Sequence, residues 1–348
     1  MNKIDNSIVQ LSASPQALSP PAGCGISSEL LRHLGKPSRE NDDQPIGLFM
    51  PEYLDAAGKS KLVNRNHVLR SGVRIAYTPE DHARWAGLFV EIERLAPKHD
   101  VRDVADGFAW MRSLGGAGRI PALDDMNPGI RKASGFELVP VMGLLSNDRF
   151  FKLLEESKFP VTLSVRRDDE LGYTHFPDIF HDLAGHGTMF LNDRFCDFVK
   201  QIGALGWSFR GQRHLQQMVS LLYWYTIEFG LKREVAADGR QSLRVFGAGI
   251  ISSVSETPAS VSSLVTPDDS HRPIHRLPFD LKRVLLSHYE YKRPQELYFV
   301  IDEYEQLTNL FRNDLAGFIK DLAADLAAGR EERIPQGQLL PHESAIAI

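Results

Sequence analysis

The stretch FHDLAGHGTMF, Phe180–Phe190, places two histidines five residues apart, with a glycine directly before the second. This spacing does not suit a straight α-helix, in which positions i and i+4 share a face and positions i and i+5 are splayed by roughly 140°. It is therefore not the His-Glu-x-x-His pattern of a zinc helix. Either His181 and His186 are unrelated, or the helix ends or kinks between them so that their side chains can meet.

A third candidate ligand lies in YWYTIEFG, where Glu228 has almost only apolar and aromatic neighbours. A carboxylate is rarely buried in such surroundings unless it is paired or bound to a metal. Two histidines and one carboxylate on one side of a metal leave the other side open, which is typical of non-heme Fe(II). Zinc with a bound water is compatible with the same side chains, and each of them taken alone is more often structural than a ligand.

A different metal enzyme also has to be considered for this stretch. The adjacent His181 and Asp182 are typical of metal-dependent phosphohydrolases of the HD type. Such an enzyme needs further ligand helices, and nothing around His214 or His288 has that pattern.

Bulk composition narrows the class of protein. The chain has 348 residues, 43% of them hydrophobic, and a net charge of −5 without a block of basic residues, so nucleic acid is not an expected partner. Cys24 and Cys196 form no metal-like or redox-like pair, which suits a reducing cytosol. The N-terminus has no secretory pattern, and the longest apolar stretch, near FELVPVMGLL, is about half of a membrane span. We expect a soluble cytoplasmic protein that does not bind a membrane.

The pattern along the chain predicts one large domain between two irregular ends. Residues 1–55 are polar and rich in Ser, Pro, Asn and Asp, and are expected to be irregular. Residues 56–330 are expected to form a catalytic domain that ends in a helix, and residues 331–348 a frayed tail. Helical periodicity dominates this domain and short strands are few, so the predicted fold class is mainly α.

Individual elements can be predicted in several places. Thr78 is an expected N-cap with Pro79 at the first helical position, and long helices are expected over 212–229 and 304–326. The stretch PVTLSVRR alternates apolar and polar residues and predicts a strand with its valines facing inward. Arg166 would then point away from the core, where a guanidinium can bind a carboxylate in bidentate fashion.

Several ordered segments together resemble one family, the pterin-dependent aromatic amino acid hydroxylases, and in particular its bacterial members. The resemblance runs from about Pro51 to Leu310. The segments that carry it are TPEDHARWAGLF, SGFELVPVMGLLSNDRFF, FPVTLSVRRDDELGYTHFPDIFHDLAGH, LYWYTIEFGL, FGAGIISS and PQELYFV. It implies the catalytic-domain fold of that family.

The resemblance also implies roles for individual residues. The catalytic iron ligands would be His181, His186 and Glu228. The substrate-binding residues would be Arg166, which would grip the carboxylate, and Thr174, Trp224, Gly249 and Ser252. The pterin-binding residues would be Gly143, Leu145, Phe150, Asp182 and Tyr223, with Phe150 stacking on the pterin ring. Asp178 is expected to orient a ligand or Arg166, and it can also cap a helix.

Two short segments depart from the family pattern. Phe176-Pro177-Asp178 stands where the family usually has Glu-Pro-Asp, and Gly187-Thr188 stands where it usually has Val-Pro. The three ligands survive both changes. The wall of the pocket beside the metal is expected to differ, which leaves the preferred aromatic substrate and the ring position open.

The expected activity is that of a monooxygenase that uses Fe(II), a tetrahydropterin such as tetrahydrobiopterin, and O2. It would hydroxylate the ring of an aromatic amino acid, with L-phenylalanine, converted to para- or meta-tyrosine, as the first candidate. Tryptophan or a modified amino acid in a biosynthetic pathway, a non-catalytic binder and a zinc-dependent hydrolase are the alternatives. The order His, His, Glu on helices argues against 2-oxoglutarate-dependent oxygenases, and a monomer or weak oligomer is expected.

Overall fold

A computed structural model of the chain describes residues 52–54, 67–68, 74–142, 145–174, 176–236, 238–262, 273–290 and 293–346. The predicted irregular extension, residues 1–55, lies outside the described residues except for 52–54. Gly143, one of the expected pterin-binding residues, also lies outside them.

Helices dominate the described residues and the strands form small sheets, which confirms the mainly α prediction. The helices are α1 (Pro79–His99), α2 (Arg102–Ser113), α3 (Leu123–Ser134), α4 (Asn147–Glu155), α5 (Gly187–Met189), α6 (Asp193–Ser208), α7 (Arg213–Tyr223), α8 (Ala248–Ile251), α9 (Glu256–Ser260), α10 (Leu281–Leu286), α11 (Glu305–Thr308) and α12 (Leu315–Ala327). The strands are β1 (Glu52–Leu54), β2 (His67–Val68), β3 (Arg74–Ala76), β4 (Glu137–Met142), β5 (Lys158–Thr162), β6 (Gly230–Val235), β7 (Gln241–Val245), β8 (His275–Pro278) and β9 (Leu297–Ile301). The sheet orders are β1-β3, β2-β4-β5 and β7-β6-β9-β8. Within the described ranges, no helix is long and apolar enough to cross a bilayer.

The start of α1 follows the sequence closely. Thr78 caps the helix, because its hydroxyl accepts a hydrogen bond from the Asp81 amide while the Asp81 carboxylate accepts one from the Thr78 amide. Pro79 occupies the first turn, as predicted. The apolar face of α1 then enters the core through Trp85, Leu88, Phe89, Ile92 and Leu95.

Strand β5 differs from its predicted form. It ends at Thr162 and pairs in parallel with β4. The polar Thr162 and Ser164 are buried together with the apolar Val161 and Leu163, so the expected alternation between core and solvent is wrong. Strands in parallel pairing are commonly covered on both faces, and alternation in sequence then carries no information about exposure.

The two long predicted helices are each interrupted. The expected helix 212–229 is α-helical only to Tyr223 and continues as a π-helical turn. The expected helix 304–326 divides at Asp314, whose carboxylate accepts the Gly317 amide and starts α12 anew. An N-capping aspartate competes with helix continuation because its side chain replaces the backbone acceptor.

The C-terminal residues also differ from expectation, since 331–346 pack against the domain and do not fray. Ile334 is buried and forms an isolated parallel bridge with Ser287. In this bridge the Ile334 amide donates to the Leu286 carbonyl, and the Ile334 carbonyl accepts from the His288 amide. Polar contacts as well as apolar ones hold this segment against the domain. The buried guanidinium of Arg283 needs acceptors, and residues of this segment supply them.

Candidate metal centre and cavity

His181 and His186 lie in one π-helical turn, His181–His186, here called the first π turn. Its hydrogen bonds run from residue i+5 to residue i, as in the bond from the Gly187 amide to the Asp182 carbonyl. Residues five apart therefore share a face, and the two imidazole rings lie with centroids 4.9 Å apart. The expectation that the helix ends between the two histidines is wrong, because the helix continues and widens by one residue.

Gly185, directly before the second histidine, is required by close packing. A Cβ atom built on it would lie 2.7 Å from the Ala248 carbonyl oxygen, closer than van der Waals contact allows. Helix α8 begins at Ala248 and ends next to Ser252, so the missing side chain lets α8 reach the metal-ligand cluster.

Glu228 reaches the histidines from a second π turn, Trp224–Glu228. The turn is closed by a 2.9 Å hydrogen bond from the Phe229 amide to the Trp224 carbonyl. The Glu228 carboxylate places Oε1 3.1 Å from His186 Nε2 and Oε2 3.4 Å from His181 Nε2. One ligand atom from each of the three residues lies within 4.8 Å of the others.

The charge state of this cluster suits a cation. Burial lowers the pKa of His181 to about 4, more than the neighbouring Glu228 can raise it. Burial alone would raise the pKa of Glu228, but its electrostatic interactions with His186 and His181 and its hydrogen bond with His186 bring it to about 2. At neutral pH a neutral imidazole therefore faces an ionised carboxylate, which are the protonation states that metal ligands need.

The surroundings of the two imidazoles fix their orientation. His181 Nδ1 lies 3.0 Å from the Ser252 hydroxyl, so its Nε2 is directed at Glu228. The His186 ring packs at 4.4 Å from the Phe159 ring, and its Nδ1 is buried without a hydrogen-bond partner among the described residues. Two imidazoles and one carboxylate that converge in this way fit a 2-His-1-carboxylate metal site.

Arg166 is buried, although the predicted strand directed its side chain away from the core. Its side chain is 0% exposed, and it forms a bidentate pair with Asp178 through Nε at 3.0 Å and Nη2 at 2.8 Å. Its Nη1 donates to the Ser252 carbonyl at 3.0 Å. The expectation that Arg166 points away from the core is wrong, because β5 and the residues after it are buried on both faces.

Asp178 makes the contacts of both of its expected roles, which are to orient Arg166 and to cap a helix. It holds Arg166, and its Oδ1 accepts the His181 amide at 2.9 Å, which caps the start of the turn that carries the histidines. Burial favours the neutral acid, but the adjacent Arg166 guanidinium lowers the pKa of Asp178 below its ordinary value.

The metal-ligand cluster opens into a cavity of about 340 Å³. Besides His181, His186 and Glu228, the predicted residues that line it are Leu145, Phe150, Thr174, Asp182, Tyr223, Trp224, Gly249 and Ser252. Arg166 is not among the lining residues. The aromatic rings of Phe150 and Tyr223 meet edge to face at 5.2 Å, and Trp224 lies with its ring 4.7 Å from Phe229.

Asp182 lies in the cavity wall beside the first histidine. Its Oδ2 accepts hydrogen bonds from the backbone amide and the hydroxyl of Thr162, both at 2.6 Å. Burial nonetheless raises the pKa of Asp182 to about 7.

Sequence reasoning missed part of the lining: Val141, Asn147, Phe159, Tyr173, Phe229 and Ser253. Phe159 and Val141 lie on neighbouring strands, and only their pairing brings them to the cavity. Of the two departures from the family pattern, the first lies in the cavity wall and the second lies next to His186 without lining the cavity. Phe176 lines the cavity, and the Thr188 hydroxyl donates to the carbonyls of Ala184 and Gly185.

Comparisons with known proteins agree with this geometry. Residues 55–326 match the model of the family described as biopterin-dependent aromatic amino acid hydroxylase. A phenylalanine-4-hydroxylase from Chromobacterium violaceum is 36% identical over 247 residues, which cover 71% of this chain and 78% of the relative. One from Ralstonia nicotianae is 37% identical over 240 residues, 68% of this chain and 71% of the relative.

A solved structure extends the match to the fold. The crystal structure of Chromobacterium violaceum phenylalanine hydroxylase bound to cobalt superposes with a TM-score of 0.66 at 33% identity, covering 78% of this chain and 90% of that one. The expected family and catalytic-domain fold are therefore confirmed. The chain belongs to the biopterin-dependent aromatic amino acid hydroxylases.

Proposed function

We propose that this enzyme is an Fe(II)- and tetrahydropterin-dependent phenylalanine hydroxylase. The observation that carries the proposal is the convergence of His181, His186 and Glu228 at the wall of a cavity lined mainly by aromatic and apolar side chains. The relatives named phenylalanine-4-hydroxylase support L-phenylalanine as the substrate and tyrosine as the product. They do not favour a zinc-dependent hydrolase.

In this proposal the two histidines and Glu228 hold the iron. Bound iron and tetrahydropterin together would supply the activation of O2 and the electrons for it. The chain contributes a neutral His181 and an ionised Glu228 at neutral pH, so no proton has to leave these two groups when the metal enters. Ser252 keeps His181 Nε2 directed at the metal position.

The substrate ring is proposed to lie against Trp224, with Gly249 and Thr174 completing its pocket. A Cβ atom at Gly249 would lie 2.7 Å from the Phe229 ring, so glycine is required for this part of the cavity wall to pack. Arg166 is proposed to attract the substrate carboxylate. The guanidinium is fully buried in this structure, so direct contact would require the groups that cover it to move.

The pterin is proposed to bind beside Phe150, with Leu145, Tyr223 and Asp182 around it. A flat aromatic ring such as Phe150 can stack on a pterin ring. Asp182 carries an acceptor oxygen in the cavity wall for the amino groups of a pterin. Gly143 belongs to the same proposed group but lies outside the described residues.

The proposal extends to the compartment, a reducing cytosol, and to the assembly state. The free, buried Cys196 supports a reducing cytosol. A monomer or weak oligomer remains the proposed state.

A single assay tests the proposed function. Fe(II)-loaded enzyme is given tetrahydrobiopterin, O2 and a mixture of L-phenylalanine, L-tyrosine and L-tryptophan. Products are identified by chromatography and mass spectrometry against para-tyrosine, meta-tyrosine and hydroxytryptophan. We expect tyrosine, formed only with pterin present. Hydroxytryptophan as the main product would overturn the substrate, and no product from metal-loaded enzyme would overturn the activity.

A further inference from the structure

Residues 331–346, here called the C-terminal strap, lie beyond the region that matches the family. The strap is clamped at its end by Arg283, whose Nε donates to Glu343 at 2.6 Å and whose Nη2 donates to the Gln338 carbonyl at 2.6 Å. Backbone bonds at Ile334 hold its beginning. The residues between these two anchors are therefore held in a defined position.

Gln336 lies between the anchors and is directed toward the cavity wall. Its Nε2 donates a hydrogen bond to Oε1 of Gln295, a side chain that is fully buried. The same Gln295 oxygen accepts the indole N–H of Trp224 at 3.4 Å. A continuous hydrogen-bonded chain thus joins the strap to a residue that lines the cavity.

The orientation of the Gln295 amide is determined by its neighbours. Its Nε2 donates to the carbonyls of Glu290, at 2.6 Å, and Arg293, at 3.4 Å, which can only accept. Its oxygen therefore faces Trp224 and Gln336, which both present donors. The amide uses two donor and two acceptor positions, so the loss of Gln336 leaves one acceptor position of a buried group unsatisfied.

Trp224 depends on this chain for its in-plane orientation. Its indole packs against Phe229, with ring centroids 4.7 Å apart, and against Tyr289, at 4.3 Å, while Trp224 also lines the cavity. Contacts between rings are less directional than a hydrogen bond, so the bond at Nε1 is the contact that defines the orientation of this edge of the indole. Within the described ranges, Gln295 is the acceptor of that bond.

We propose that Gln336 is a positioning residue, which acts through Gln295 to fix the indole of Trp224 and thereby the shape of the substrate pocket. The part that concerns substrate selection rests on the proposed function. The part that concerns Trp224 does not. Gln336 would accordingly determine how well the pocket accepts one aromatic ring over another.

The test uses the full chain with its four tryptophans replaced by 5-fluorotryptophan and observed by ¹⁹F NMR. The Trp224 resonance is assigned with Trp224→Phe. We expect Gln336→Leu to shift or broaden that resonance while the other three stay in place. Gln338→Leu is the matched control, because the Gln338 side chain forms no hydrogen bond among the described residues and its carbonyl is unaffected by the change.

An unchanged Trp224 resonance in folded Gln336→Leu would overturn the proposal. If this variant does not fold, Gln336→Asn, one methylene shorter, is judged by the same criterion.

In hydroxylation assays, Gln336→Leu should raise KM for the preferred aromatic amino acid about three- to tenfold relative to Gln338→Leu. The KM for pterin and the iron content should stay unchanged. A shifted Trp224 resonance in Gln336→Leu, together with an unchanged KM for the aromatic amino acid, would overturn the role in substrate selection. Inactive wild-type enzyme would refute the proposed function and leave the NMR result to decide the positioning role.

Discussion

The metal-ligand cluster and the Arg166–Asp178 pair are neighbours in the structure, yet they differ in what balances their charge. Ser252 contacts both, through its hydroxyl to His181 and its carbonyl to Arg166. The pair is balanced within the chain, by a bidentate bond between a guanidinium and a carboxylate. The cluster faces a cavity and has one carboxylate opposite two imidazoles, of which His181 is neutral at pH 7.

This difference indicates how each region works. A charge that the chain itself balances contributes to structure, and its loss appears as lost stability. A carboxylate that faces a cavity with two imidazole nitrogens beside it is arranged for an external cation, and its loss appears as lost binding. Changes in the two regions should therefore separate in experiments on stability and on metal affinity.

The largest effect is expected at Glu228. Glu228→Gln removes the anionic ligand but keeps the shape, so iron affinity should fall by more than about 100-fold, beyond the loss typical of residues that only support a ligand. Fe(II) titration of the metal-free protein measures it. Glu303→Gln, at an exposed carboxylate paired with Lys232, is the control and should bind iron normally. Equal affinity in Glu228→Gln and the control would contradict the assignment.

A large loss of stability is expected at Arg166. Arg166→Met leaves the Asp178 carboxylate buried and unpaired, which should lower the free energy of unfolding by about 3–5 kcal/mol. Arg167→Met, next in the chain but about half exposed, should change it by less than about 0.5 kcal/mol. Urea unfolding compares the two. Arg166→Met/Asp178→Leu should recover part of the loss, and if it recovers none the pair is not the cause.

A third buried carboxylate, Glu256, sharpens the contrast because no guanidinium pairs with it among the described residues. Its Oε1 accepts from the backbone N–H of Gln295 and the Tyr298 hydroxyl, while Oε2 has no partner among the described residues. Burial raises its pKa from 4.5 to about 7, whereas Arg166 lowers that of Asp178. A raised pKa in the folded state gives stability that is full below pH 4.5 and is lost as the pH rises through 7.

Glu256→Gln should therefore flatten the pH dependence of stability. Between pH 5 and pH 8 the wild type should lose up to about 3 kcal/mol relative to the variant. Chemical denaturation of both proteins at several pH values measures this difference. Parallel curves for the two proteins would mean that Glu256 is ionised in the folded state throughout.

The smallest effect is expected at Thr188, which supports the first π turn without contacting the metal position. Its hydroxyl donates to the Ala184 carbonyl at 2.9 Å and the Gly185 carbonyl at 3.0 Å, next to His186. Thr188→Val removes both bonds and should weaken iron binding about two- to tenfold. Thr188→Ser keeps the hydroxyl and should bind iron as the wild type does. An equal or larger loss in Thr188→Ser, which keeps the hydroxyl, would contradict the role of these two hydrogen bonds.

The sequence predicted which residues meet at the site better than how they meet. His181, His186 and Glu228 could be named because a carboxylate in an apolar helix and a glycine beside a histidine are unusual. The π turns could not be predicted, since an inserted residue in a helix has no local signature and is maintained by tertiary contacts such as Gly185 against Ala248. The N-cap at Thr78 was predictable because it depends only on neighbouring residues.

Long-range polar contacts explain the remaining differences. The burial of Arg166 depends on Asp178, which is distant in sequence, and on Ser252, which is further still. The strap likewise depends on a buried guanidinium, Arg283, that no pattern near residues 331–346 indicates. The polar composition of residues 331–346 therefore could not predict their packing, because the buried charge that uses their acceptors lies elsewhere in the sequence.

Hydroxylation under ¹⁸O2 tests the central claim most directly, because it reports the source of the oxygen and the need for the metal ligands together. Fe(II)-loaded wild-type enzyme with tetrahydropterin and L-phenylalanine should yield tyrosine that carries one ¹⁸O atom, and Glu228→Gln should yield none. Tyrosine labelled from ¹⁸O-water instead, or the same yield from Glu228→Gln, would contradict an O2-dependent hydroxylation at the His181, His186 and Glu228 site.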